Sequence, residues 1–153
     1  MLVAIASDHA GYELKEYVKT LLPALHVEPV DFGCFSDESV DYPDFALQVA
    51  QAVNDDRVSE GILICGTGIG MSIVANRFPQ VRAALCHDDF TAQASREHNN
   101  ANILVMGARV VTPEQAASIV RIFFTTEFSE GRHARRLNKI SQISRDILNG
   151  KYQ

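Results

Sequence analysis

A cysteine at the start of a glycine-rich segment is the feature of this sequence most suited to chemistry. The apolar run 62–64 is typical of a buried strand, and a helical pattern follows residue 70 until Pro79 ends it. A loop between a strand and a helix N-terminus presents free backbone N–H groups and a positive dipole end, which bind anions and stabilise a thiolate. We expect chemistry on an anionic or oxyanion-forming substrate, with Cys65 as base or nucleophile. The loop consists of Gly66, Thr67, Gly68, Ile69 and Gly70.

This glycine loop differs from three common phosphate-binding loops. It lacks the GK[ST] ending of a P-loop, and Met71 stands where the dinucleotide-binding fingerprint has glycine or alanine. Met71 also occupies the position at which a Cys-x5-Arg phosphatase loop has arginine. Without Cys65, the glycines would fit a tight turn that needs positive φ angles. Cys34 and Cys86 are interpreted as small buried apolar residues.

Three further groups of polar residues are candidates for a site, and each has a structural alternative. Asp8 and His9 follow the first predicted strand, where an aspartate can also cap a helix. His98 lies at a helix end, where histidine often serves only as a cap. Arg132 and Arg136 are four residues apart on one face of a helix start and could hold a phosphate from two directions. The alternative is a solvated helix start that pairs with acidic neighbours.

Apolar, β-branched runs alternate with helical patterns along the chain, which predicts an α/β protein with a parallel sheet and helices on both faces. Ligands gather at the carboxyl ends of such strands, which selects Asp8 and His9, Cys65 with its loop, and the segments 87–89 and 107–109. A capping box at 112–115 begins one late helix, and the last helix covers about 134–149. The predicted strands are 2–6, 27–32, 61–65, 81–86 and 102–106.

The composition limits the class of protein. The 153 residues are 46% hydrophobic and 22% charged, as expected of one globular domain spanning 1–153. A net charge of −5 argues against a nucleic-acid binder, and no apolar run reaches the roughly 18 residues that cross a membrane. The N-terminus lacks a signal-peptide pattern, and three cysteines without CxxC spacing indicate neither a disulfide framework nor a zinc site. We therefore expect a cytoplasmic protein.

Six motifs together resemble one family from the first strand to the last helix. They are SDHAG with the following Leu14-Lys15, DYPDFA, CGTGIGMSIVANRF, SREHNNAN, GARVV and GRHARR, and they occur in family order. The sequence is identified as a member of the ribose-5-phosphate isomerase B family, the RpiB/LacAB sugar-phosphate isomerases. This resemblance implies a Rossmann-like three-layer α/β/α sandwich with a five-stranded parallel sheet. It also implies a homodimer that shares active sites across its interface, with pairing of dimers into a tetramer left open.

The resemblance implies aldose–ketose isomerisation of a phosphosugar without a metal or organic cofactor. In that family pattern Cys65 is the catalytic base, Thr67 and the backbone of 66–70 hold the developing enediolate oxygen, and His98 opens the sugar ring. One branch of the family has a glutamate base at the position of Met71, so this chain resembles the cysteine branch. Some of the residues would come from the partner subunit. The implied sugar contacts are Asp8, His9 and Asn99, and the implied substrate and phosphate contacts are Arg109, Arg132 and Arg136.

The resulting hypothesis is interconversion of D-ribose 5-phosphate and D-ribulose 5-phosphate through a cis-enediol. A related alternative is isomerisation of a six-carbon phosphosugar, allose 6-phosphate or galactose 6-phosphate. An alternative of another class is a non-catalytic phosphosugar-binding module, which would bind ligand without turnover and would need no thiol.

Overall fold

The computed structural model describes residues 1–152, in which five strands alternate with six α-helices. Two short 3-10 turns, His9–Gly11 and Leu22–Leu25, flank the first helix. The strands are β1 (Leu2–Ser7), β2 (Glu28–Asp31), β3 (Glu60–Cys65), β4 (Ala83–Leu85) and β5 (Ile103–Gly107). The helices are α1 (Tyr12–Leu21), α2 (Tyr42–Asn54), α3 (Ile69–Ala75), α4 (Asp89–Glu97), α5 (Pro113–Thr125) and α6 (Arg132–Leu148).

The strands form one parallel sheet in the order β2-β1-β3-β5-β4. The chain moves from β1 outward to β2 and then returns to place β3 on the other side of β1. Ligands of open α/β sheets bind at the carboxyl ends of the strands where the direction of winding changes, which here is the junction of β1 and β3. β1 ends at Ser7 and β3 ends at Cys65, so the sheet places the sequence around Asp8 next to the cysteine.

Apolar residues cover both faces of the sheet, because side chains alternate along each strand. On one face Val3 and Ile5 pack with residues of α1, α4 and α5. On the other face Ala4 and Ala6 pack with residues of α2 and α3. The predicted Rossmann-like sandwich with a five-stranded parallel sheet is therefore confirmed. α6 differs from the other helices because His133 is its single buried residue.

Three predicted elements are shorter than their sequence patterns, among them β2, which covers 28–31 rather than 27–32. β4 covers 83–85 rather than 81–86, and the Arg82 N–H donates to the Asn102 side chain at 2.7 Å instead of to a strand. The helix after the glycine loop stops at Ala75, because the Asn76 side chain bonds the backbone N–H and C=O of Ala83, both at 2.9 Å. These bonds join the end of α3 to the edge strand. No helix within residues 1–152 has the length and apolar character that a membrane crossing requires.

The late helices agree with the sequence more closely. The capping box is present, with the Gln115 N–H donating to the Thr112 hydroxyl at 3.2 Å and the Thr112 N–H donating to the Gln115 side chain at 2.8 Å. α6 begins at Arg132, two residues before the predicted start, after a turn in which Gly131 has φ 54°. The earlier start places both Arg132 and Arg136 within the helix.

Replacement of Phe123 by alanine should destabilise the protein strongly. Phe123 of α5 is fully buried against the sheet and meets Phe124 edge to face. Deleting its ring leaves a cavity, so the free energy of unfolding in urea should fall by about 3–5 kcal/mol. The control is Phe90→Ala, because Phe90 is 76% exposed and its loss should change the free energy by less than about 0.5 kcal/mol. Equal losses in the two variants would contradict this packing.

Candidate active site

Asp8 is positioned beside the cysteine by the end of β1. Its N–H donates to the carbonyl of Ile64 at 3.2 Å, and its carboxylate accepts from the Gly11 N–H at 3.0 Å. Asp8 is thus the N-cap of the 3-10 turn, which was the structural alternative given for this residue. It also lies at the ligand-binding edge of the sheet. A Cβ on Gly11 would stand 2.4 Å from the Ile64 carbonyl oxygen, so only glycine permits this approach of the turn to β3.

Cys65 is buried at the end of β3, where its sulfur accepts a hydrogen bond from the Gly68 N–H at 3.1 Å. Gly68 has φ 79°, a left-handed conformation that glycine adopts freely. The Thr67 hydroxyl also accepts a bond from the Ile69 N–H at 3.4 Å. The expected loop of bare N–H groups is therefore corrected in part, because the loop's own side chains engage two of them. The Gly68 N–H fixes the position of the sulfur at the end of β3.

β5 supplies the next wall of this site and brings in Arg109. Cys65 pairs with Gly107, and the Arg109 N–H donates to the Gly66 carbonyl at 3.0 Å. A Cβ built on Gly66 would lie 3.5 Å from the Arg109 guanidinium, so this cation covers the start of the loop. A Cβ on Gly107 would lie 2.6 Å from the carbonyl carbon of Thr67, so glycine is needed where the loop crosses β5. A positive charge therefore lies beside the glycine loop.

His9 and Tyr42 complete the carboxyl edge of the sheet. The Nδ1 atom of His9 accepts a hydrogen bond from the Val40 N–H at 3.2 Å. Tyr42, at the start of α2, lies over Gly70, where a Cβ would be 2.5 Å from the Tyr42 ring. Sequence reasoning assigned Tyr42 no role, although its DYPDFA segment is one of the six motifs. We call Asp8, His9, residues 65–70 and Arg109 the carboxyl-edge half-site.

His98 and Asn99 lie at the opposite edge of the sheet. The His98 N–H caps α4 by donating to Ala94 at 3.0 Å, and β5 begins five residues later. Cys65 pairs with Gly107 at the far end of β5, four steps of about 3.3 Å, or about 13 Å, from Ile103. His98 and Cys65 of one chain therefore do not meet.

The arginines of α6 belong to the same edge as His98. The rings of His98 and His133 stack in parallel, with centroids 4.4 Å apart and 7° between their planes. The Ser129 N–H donates to the Glu97 carbonyl at 3.0 Å and fixes the approach to α6. Sequence reasoning left His133 without a role, because its place next to Arg132 does not reveal a stacking partner. We call His98, Asn99, Arg132 and Arg136 the amino-edge half-site.

The cysteines of residues 1–152 are free thiols, and the side chains that could bind a metal are not grouped together there. Cys34 and Cys86 are free and buried, as predicted, and burial raises the pKa of Cys86 to about 11. Among residues 1–152 no three histidine, cysteine, aspartate or glutamate side chains are grouped as a metal site would need. A reaction without metal or organic cofactor stays a prediction.

His133 should titrate below an ordinary histidine. Its pKa is lowered first by burial and then by the positive charges of His98, Arg132 and Arg136, which outweigh Glu97. An NMR titration should give His133 a midpoint below about 6.5.

The matched variants for this titration are His98→Asn and His87→Asn. The first removes the stacked charge and should raise the His133 midpoint, whereas the second alters an exposed residue outside the stack and should leave it unchanged. Because the unfolded chain binds this proton more readily, the free energy of unfolding should fall as the pH drops below about 6.5. A midpoint insensitive to His98 would refute the coupling.

Comparison with known proteins identifies the family of this chain. Residues 3–140 match the family model described as Ribose/Galactose Isomerase. Ribose-5-phosphate isomerase B of Escherichia coli (strain K12) is 44% identical over 141 residues, 92% of this chain and 95% of that protein.

Solved structures extend the comparison to the fold. Clostridium thermocellum ribose-5-phosphate isomerase B is 48% identical with a TM-score of 0.93, covering 96% of this chain and 99% of that one. The Mycoplasma genitalium enzyme with bound ribulose-5-phosphate is 40% identical with a TM-score of 0.90, covering 95% and 97%. With a family model across most of its length and relatives aligned nearly end to end, this chain belongs to the ribose/galactose isomerase family.

Proposed function

We propose that the chain is a single isomerase domain, residues 1–153, that interconverts D-ribose 5-phosphate and D-ribulose 5-phosphate through a cis-enediol. The observation that carries the proposal is the Cys65 sulfur, held by the Gly68 N–H at the junction of β1 and β3. A family relative of similar fold, from Mycoplasma genitalium, holds ribulose-5-phosphate. The comparisons do not favour the six-carbon alternative.

Cys65 acts as the base in this mechanism. With the sugar in its open form, the Cys65 thiolate removes the proton from C2, and the electrons left behind form the enediolate as the C1 carbonyl oxygen gains negative charge. The proton then returns to C1, while a second proton moves between the two oxygens, which gives the ketose. Met71 is fully buried and has no basic group, so Cys65 is the base of the loop.

The glycine loop stabilises the intermediate. The Thr67 hydroxyl and those backbone N–H groups of 66–70 that the loop's own side chains do not engage stabilise the enediolate oxygen as it becomes charged. Preorganised donors of this kind contribute about 3–4 kcal/mol each when they are aimed at developing charge. Arg109 adds a cation over the start of the loop. Asp8 and His9, at the same edge, hold the sugar.

A homodimer completes the site. The amino-edge half-site of the partner subunit faces the carboxyl-edge half-site, so that the partner's His98 opens the ring and the partner's Asn99, Arg132 and Arg136 hold the sugar and its phosphate. The length of about 13 Å from Ile103 to Gly107 supports this arrangement, since His98 precedes the amino end of β5 and Cys65 pairs with its carboxyl end. Phosphate binding remote from C1 and C2 positions the substrate for proton transfer.

The exposed face of α6 supports the same dimer. Ile140, Ile143 and Ile147 lie on one side of the helix and are each about half exposed. Two of them line a groove of about 710 Å³ between α6 and the edge strand β4, together with Phe78 and Leu137. An apolar surface of this kind is typical of a surface that a partner covers. We further propose a cytoplasmic location, in line with three free thiols.

Replacement of Cys65 by alanine should abolish most turnover and leave phosphosugar binding nearly intact. Loss of the base removes an interaction made in the transition state, so kcat should fall by at least about a hundredfold. Cys86→Ala is the matched control, because the Cys86 thiol is buried in the core and lies outside the half-sites. Isomerisation is measured with the five-carbon and six-carbon sugars, and binding by calorimetry. Full activity of Cys65→Ala would refute the assignment, and a higher kcat/KM on the six-carbon sugar would refute the substrate.

Mixing two inactive variants should restore activity if the dimer shares its sites. A heterodimer of Cys65→Ala and His98→Asn subunits contains one site with both defects and one site with neither. Random exchange between equal amounts should therefore restore about a quarter of wild-type activity. Mixing Cys65→Ala with Thr67→Ala, which alter the same half-site, should restore none. No gain in the first mixture, with subunit exchange verified by mass spectrometry, would contradict shared sites.

A further inference from the structure

Lys15 is the one fully buried charged side chain among residues 1–152, and the proposed chemistry does not use it. Its Nζ atom donates to both carboxylate oxygens of Asp31, at 2.8 and 2.9 Å, and to the carbonyl of Cys34 at 2.7 Å. The ammonium group also lies over the ring of Phe35, 5.0 Å from its centroid. A buried ammonium is costly unless it is paired and hydrogen-bonded, so these contacts hold the segment after β2 firmly.

Asp31, the last residue of β2, fixes the start of the segment through further hydrogen bonds. Its carboxylate also accepts from the Gly33 N–H at 2.9 Å and from Lys19 at 2.6 Å. Burial opposes ionisation of this carboxyl, but hydrogen bonds from Lys15 and Lys19 keep the pKa of Asp31 below its ordinary value. Lys15 and Lys19 both bind Asp31, but Lys15 is fully buried whereas Lys19 is partly exposed, and only Lys15 reaches the Cys34 carbonyl.

The same segment is attached to the end of β1. The Ser7 N–H donates to the Gly33 carbonyl at 2.7 Å, and the Cys34 N–H donates to the Ser7 carbonyl at 2.8 Å. The segment then runs to Val40, whose N–H donates to His9 Nδ1 at 3.2 Å. His9 lies two residues after Ser7, so both ends of the segment contact the short stretch 7–9, which contains Asp8 and His9 of the carboxyl-edge half-site.

The bond from Val40 determines which nitrogen of His9 carries the ring proton. A neutral imidazole has one N–H group and one acceptor nitrogen. Because Nδ1 accepts from a backbone N–H, the proton resides on Nε2, and Nε2 is a donor. A donor suits the oxygen atoms of a phosphosugar, whereas the other tautomer would turn an acceptor toward them.

We propose that Lys15 is a positioning residue for His9: by clamping residues 31–34 it places the Val40 N–H on His9 Nδ1, so that Nε2 donates to an oxygen of the phosphosugar. This rests on the proposed function for the identity of the ligand. The tautomer of His9 in the free protein does not depend on activity. Failure of the isomerase assignment and failure of the positioning role are therefore distinguishable.

The test compares Lys15→Met with Lys19→Met. Both variants remove an ammonium from Asp31, but Lys19→Met leaves the bond to Cys34 in place. Nitrogen-15 NMR at about pH 8.5, above the ordinary histidine pKa of about 6.5, reports the tautomer of each neutral ring. The His9 signals are assigned with His9→Gln, and the kinetics use ribose 5-phosphate.

We expect His9 to be in the Nε2–H form in the wild type and in Lys19→Met, and the Nδ1–H form to appear in Lys15→Met. The KM of Lys15→Met should rise about five- to tenfold with kcat nearly unchanged, because the lost bond serves substrate and transition state alike. A folded Lys15→Met with His9 still in the Nε2–H form overturns the proposal. A changed tautomer with an unchanged KM also overturns it.

Two further variants keep the test decisive if Lys15→Met does not fold. Asp31→Asn keeps the shape of the clamp while removing its negative charge, and it should release the Nδ1–H form as Lys15→Met would. Val40→Pro removes the donor N–H itself, with Ser39→Pro as the matched control that retains it. A His9 tautomer that is the same in Asp31→Asn, Val40→Pro and wild type would refute the role of the segment.

Discussion

The parallel pairing of β3 with β1 on one side and β5 on the other is the constraint on which the rest of the structure depends. The register pairs Cys65, the last residue of β3, with Gly107. It also pairs Ser7, the last residue of β1, with Ile64. Because the backbones approach so closely at this edge, a Cβ on Gly11 or Gly107 would clash with backbone atoms, and a Cβ on Gly68 would meet the Leu85 side chain. The packing at this edge thus requires glycine independently of the chemistry. The same close packing brings the Gly68 N–H to the sulfur.

The direction of the helices decides how the site is divided. Each crossover helix runs back from the carboxyl edge to the amino edge, so residues at a helix end lie a full strand away from residues at a strand end. Cys65 ends a strand, and His98 ends a helix. In the proposed homodimer a second chain brings them together, which makes assembly part of the proposed catalysis.

His9 and His98, the two histidines of the proposed site, are held in position by different interactions. His9 is held by a backbone N–H, which specifies one ring nitrogen as acceptor. His98 is half exposed and is held by stacking on His133, which fixes the plane of the ring, while its Nε2 atom lies 3.9 Å from a carboxylate oxygen of Glu97. Because the rings are stacked, a positive charge on His98 disfavours protonation of His133 and contributes to the lowered pKa of His133.

Local patterns in the sequence were enough to predict the strand–helix alternation, the cysteine at a strand end, the capping box at Thr112 and the buried Cys34 and Cys86, because periodicity and turn chemistry act over a few residues. The family motifs added the candidate residues at both edges. The strand order, the burial of Lys15 and the His98–His133 stack could not be predicted, because they join residues 16 to 35 positions apart or more. The sequence by itself thus determined which residues are available for chemistry. Only the tertiary structure decided that they form two half-sites, since the distance between residues on opposite edges of a sheet follows from strand direction and pairing rather than from local pattern.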